Sequence, residues 1–130
     1  MIGLDTNVLV RYISQDDPKQ SAHATKLIDS LTKDRPGFIT LIALIELVWG
    51  MESCYVASKV EVIELLEMLV RTQEFRIENM ATVIKAINVY TESKADFSDC
   101  LMERSANAAG CDYTVSFDAN AIKTAGMRAM

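Results

Sequence analysis

Apolar residues along this chain follow two rhythms. Short runs at Met1–Leu4, Phe38–Thr40 and Tyr113–Ser116 end after three or four positions, and Glu74–Glu78 alternates polar with apolar. Segments so short and so patterned predict strands. Elsewhere apolar side chains return at the spacing of one helix face: Val8, Leu9, Tyr12 and Ile13; Ala24, Leu27, Ile28 and Leu31; Val62, Leu65, Leu66 and Leu69; Val83, Ile84, Ile87 and Tyr90. Helix signals punctuate these stretches. Asp17-Pro18 supplies an N-cap and a first-turn proline, and Ser58 with Glu61 forms a capping box. Asn79 is placed to cap the next helix, and Gly110 to end the one after it. A short last helix is expected from Asn120. Strands alternating with helices predict an α/β fold around a mostly parallel sheet. No linker or repeat divides residues 1–130, which read as one domain.

One stretch breaks the pattern. Phe38 to Gly50 carries a single charge, Glu46, among Ile42, Ala43, Leu44, Ile45, Leu47, Val48 and Trp49. A buried, unpaired carboxylate costs several kcal/mol, roughly, so Glu46 is expected to meet a partner. Other acids fall where they can supply one. Asp5 follows the first strand, Asp118 follows the last, and Asp96 and Asp99 open a helix three residues apart. Groups that follow parallel strands share one sheet edge, where ligands bind. Converging carboxylates repel unless they are protonated or hold cations, and an all-oxygen set suits Mg²⁺ or Mn²⁺. Such a centre, with waters left on the metal, hydrolyses phosphodiesters. Each acid also has a plainer reading. Asp5 and Asp118 can be helix caps, and Asp96 and Asp99 can answer a helix dipole.

Half the residues are hydrophobic, enough for a core, and the net charge is −5. That charge argues against a nucleic-acid binder working through a broad basic face, and leaves one working through bound cations. His23 is the only histidine, which excludes a two-histidine acid–base nuclease. No Gly-rich phosphate loop and no G-x-S-x-G is present. Asp5 interrupts the first apolar run too early for a signal peptide, and no run is long enough to span a membrane. Cys54, Cys100 and Cys111 read as reduced thiols, which suits a cytoplasmic protein.

Four segments together, MIGLDTNVLVRY, LIALIELVWGME, KADFSDCLMERSANAAGC and TVSFDANA, resemble PIN-domain ribonucleases, and most closely the VapC-type toxins of toxin–antitoxin pairs. The resemblance implies a three-layer α/β/α fold and a Mg²⁺- or Mn²⁺-dependent endoribonuclease, with one or two ions, that leaves a 5′-phosphate end. It implies RNA as substrate, tRNA among the candidates, a homodimer, and a cognate antitoxin that inserts a segment into the cleft. By position it makes Asp5, Glu46, Asp99 and Asp118 the catalytic metal ligands. Asp96 supports them. Thr6 and Asn7 match the D-T-N turn, with Asn7 orienting the cluster, and Ser116 or Thr114 is expected to hydrogen-bond Asp5. Arg11, on the helix after Asp5, is the expected RNA contact. Asn120 departs from relatives that carry a further acid there, which leaves a second metal site less complete. A PIN nuclease of RNA or DNA processing and a catalytically silent PIN-like module are the alternatives.

Overall fold

The computed structural model describes residues 1–130. The elements run β1 (Ile2–Gly3), α1 (Thr6–Ser14), α2 (Pro18–Asp29), β2 (Gly37–Ile39), α3 (Leu41–Cys54), α4 (Lys59–Arg71), β3 (Phe75–Ile77), α5 (Met80–Glu92), α6 (Phe97–Ala108), β4 (Val115–Ser116), α7 (Ala119–Thr124) and β5 (Arg128–Ala129). The chain is an α/β protein in which every strand pair is parallel. Two sheets stand where one was expected. The first has the order β1-β2-β3, and the second pairs β4 with β5. The strands of the first sheet follow chain order. The fold forms two compact units, Met1–Glu78 and Asn79–Met130.

In the first unit, Phe75 and Ile77 are buried and Arg76 between them is exposed, as alternation required. Leu9, Ile39, Leu44, Leu47 and Leu66 have no exposed surface and form the centre of the core. Burial of that kind contributes about 1.5–3 kcal/mol per large aliphatic side chain. Asp17 caps α2 through Gln20 N–H at 2.9 Å with Pro18 in the first turn. The Ser58–Glu61 box closes in both directions, at 2.9 and 3.2 Å. Thr40, expected to end a strand, instead caps α3.

In the second unit α5 packs on α6, and Tyr90 meets Phe97 edge to face with ring centroids 5.7 Å apart. α6 ends in a Schellman turn. Cys111 N–H donates to Ala106 C=O and Gly110 N–H to Asn107 C=O, with Gly110 at φ 101°. Asn79 precedes α5 as expected, but its side chain makes no cap bond. The residue is left-handed at φ 49°, a conformation asparagine tolerates.

Candidate active site

Two groups of acids stand out, one in each unit. The first gathers where the strands of the three-stranded sheet end. Asp5 follows β1, and its carboxylate accepts from Thr6 N–H at 2.9 Å, capping α1. Thr6 Oγ1 donates to Glu46 Oε1 at 3.2 Å. The threonine of the D-T-N turn therefore links the first acid to the second across 40 positions of chain. Glu78, which follows β3, was not anticipated. Its Oε1 accepts from Leu41 N–H at 2.9 Å and so joins Thr40 in holding the start of the helix that carries Glu46. Its sequence signal was its place directly after a strand.

Glu46 itself differs from expectation. It is exposed, so no desolvation penalty has to be met. α3 buries Ala43, Leu44, Leu47, Val48 and Met51 on one side. On the other side Ile42 and Trp49, 72% and 65% exposed, flank the carboxylate. The apolar sequence around Glu46 thus comes from two faces of one helix, only one of which is core.

The second group comprises Asp96, Asp99 and Asp118. Asp96 occupies the N-cap position of α6 but makes no side-chain cap bond. Asp99 lies in the first turn, and partial burial, with the charges of Asp96 and Asp118, pushes its carboxyl above the usual carboxylate range. The three acids are thus within electrostatic reach of one another. Asp118 caps α7, accepting from Asn120 N–H at 2.8 Å and Ala121 N–H at 3.4 Å. Ser116 Oγ accepts from Asp118 N–H at 2.9 Å, and Thr114 Oγ1 is buried with no hydrogen-bond partner. Ser116 thus holds the Asp118 backbone. Asn120 carries no charge to the group, and its amide donates to Lys94 C=O at 3.4 Å.

Two supporting residues stand elsewhere in the fold. Asn7 makes no side-chain hydrogen bond and lines a cavity of about 480 Å³ between α1 and α2. Arg11 is already engaged. Its Nε donates to Gln20 at 2.8 Å and its Nη1 to Asp16 at 3.0 Å. Asp16 also accepts from Ser14 Oγ and Tyr55 Oη, which hold its carboxyl down at about 2. Arg11 thus fastens α1 to the start of α2 through Asp16 and Gln20.

The donor chemistry fits a hard dication. All six acids offer oxygen, and none is paired with a cation. Asp99 is perturbed first by burial and then by the charges of Asp96 and Asp118, and a bound cation relieves the second of these. As the side chains stand, however, no three acid, histidine or cysteine groups are gathered closely enough to hold a metal.

Residues 2–127 match the family model of the PIN domain, and the chain belongs to that family. Among its relatives is a protein described as a VapC ribonuclease of Aquifex aeolicus (strain VF5). It is 27% identical over 114 residues, which cover 88% of this chain and 84% of the relative.

Proposed function

We propose that this protein is a Mg²⁺- or Mn²⁺-dependent endoribonuclease, the toxin of a toxin–antitoxin pair. The observation that carries the reading is Asp99, half-buried beside two like charges with no cation to offset them, in a chain of the PIN family. Asp5, Glu46, Asp99 and Asp118 would hold one or two ions, with Asp96 in support. The bound metal supplies positive charge to the phosphoryl oxygens and lowers the pKa of the attacking water. The chain's own groups fix the ligands. Thr6 orients Glu46 by its hydroxyl, Ser116 anchors the Asp118 backbone, and the caps on α1 and α7 restrict Asp5 and Asp118. The ribonuclease name of the relative supports an RNA substrate for this chain, and the resemblance adds an antitoxin partner and a homodimer in the cytoplasm. No helix is long and apolar enough to cross a membrane.

The test is cleavage of a panel of tRNA and single-stranded RNA by purified protein in Mg²⁺, Mn²⁺ or EDTA, beside Asp99→Asn. Metal-dependent cutting lost in the variant is the expected result. Folded protein that cuts nothing in either metal would favour a silent PIN module.

A further inference from the structure

Phe117 is 88% exposed, the most exposed large apolar side chain of the molecule, and it directly precedes Asp118. A phenylalanine so placed is unusual, since the type belongs mostly to cores. It does not stand alone. From Tyr113 to Phe117 exposure alternates through β4 and the residues on either side of it: Tyr113, Val115 and Phe117 are exposed, while Thr114 and Ser116 are half-buried. Beside them on β5, Arg128 pairs in register with Val115 and lays its guanidinium 4.4 Å over the Tyr113 ring. The result is two exposed aromatic rings, one covered by a guanidinium and the other next in sequence to a candidate ligand of the metal. Tyr113 and Phe117 stand four positions apart in the chain.

We propose that this pair of rings is a stacking platform for unpaired RNA, with Phe117 taking the base beside the scissile phosphate and Tyr113–Arg128 a more distant nucleotide. The proposal rests on the ribonuclease reading above. Aromatic faces hold bases without regard to sequence, and only bases that are not paired can reach them. Arg128 adds the charge that complements phosphate. Stacking also answers a difficulty posed by composition. A chain of net charge −5 has little long-range attraction for RNA and needs contacts that work at short range.

The experiment measures binding by fluorescence anisotropy in EDTA, with all proteins carrying Asp99→Asn so that nothing is cut. The probes are a labelled, unstructured RNA dodecamer and the same strand annealed to its complement. Phe117→Leu, which keeps apolar bulk and loses the ring, is expected to weaken binding of the unpaired strand about tenfold. Phe117→Trp is expected to retain it, and the duplex is expected to bind weakly and respond to neither change. Arg128→Gln is expected to weaken binding and flatten its salt dependence. Because Phe117 is exposed, melting temperatures should be unchanged. Equal affinity of Phe117→Leu and its parent would overturn the platform, as would a change in oligomeric state with RNA affinity unchanged, which would mark a protein-docking face. A second arm assays Phe117→Leu for cleavage with Asp99 intact. Binding through Phe117 without metal-dependent cleavage by wild type would sink the nuclease reading alone. Cleavage that Phe117→Leu performs as well as wild type would sink the platform alone.

Discussion

A Cβ on Gly37 would stand 2.6 Å from Leu4 Cδ1 and 2.9 Å from Leu31 Cδ1, closer than carbon atoms approach. β2 runs past its neighbours there with no room for a side chain. Gly37→Ala is therefore expected to destabilise the protein by about 1–3 kcal/mol, read as a lower urea midpoint with an unchanged slope. Glu46 is the opposite case. It is exposed, so Glu46→Gln should leave the urea midpoint within about 0.5 kcal/mol of wild type. The same change should reduce metal-dependent cleavage roughly a hundredfold or more, since even partners of ligands matter 10–100-fold. Thr6, as such a partner, should lose about 10–100-fold on Thr6→Val and little on Thr6→Ser, which keeps the donor. Intact cleavage by Thr6→Val would remove it from the site. Exposure of Glu46 was not legible in the sequence, because a list of apolar neighbours does not say which face of the helix each one occupies. The acids themselves were legible, since a carboxylate after a strand or at a helix start needs no long-range contact to be noticed. Thr6–Glu46 was not, since it joins residues that only the folded chain brings together.

Among the elements, those announced by local chemistry appeared where expected. α2 starts at Asp17-Pro18, α4 at its capping box, and α6 stops before Gly110. Caps are contacts between residues a few positions apart, so their signal survives in one dimension. β4 and β5 are two-residue strands, too short to show a period, and β5 was missed altogether. The join between α1 and α2 was also missed, because Arg11, Asp16, Gln20 and the distant Tyr55 meet only in space. It carries a prediction. The Asp16 carboxyl is held at about 2, below its ordinary value of 3.8. A depressed carboxylate stabilises the fold fully above its unfolded pKa and loses that contribution as pH falls through the folded one. The stability difference between wild type and Asp16→Asn should thus be constant above about pH 5 and shrink between about pH 4 and 2. Urea unfolding at a series of pH values measures it, and a difference that grew on acidification would contradict the assignment.

For the whole molecule the deciding property is the charge left uncompensated on its acids. Without metal, Asp99 in its ionised form is disfavoured by partial burial and by the charges of Asp96 and Asp118, so Asp99→Asn should be no less stable than wild type at pH 7. Partial exposure limits the gain to about 0.5 kcal/mol, within the range of surface electrostatics. Added Mn²⁺ should reverse the order. A ligand that binds only the folded state stabilises it by RT ln(1 + [L]/Kd), or about 2.7 kcal/mol at a hundred times Kd. Wild type should gain a rise in melting temperature that saturates with Mn²⁺, and Asp99→Asn should gain much less. Asp118→Asn should behave like Asp99→Asn, because asparagine keeps the cap on α7 while removing the charge. Asp118→Ala should in addition lose about 1 kcal/mol of capping in metal-free buffer. The comparison separates the two roles of one residue, since capping is read without metal and ligation only with it. Equal Mn²⁺ responses in wild type, Asp99→Asn and Asp118→Asn would mean that these acids hold no metal, and would return Asp118 to the role of a helix cap.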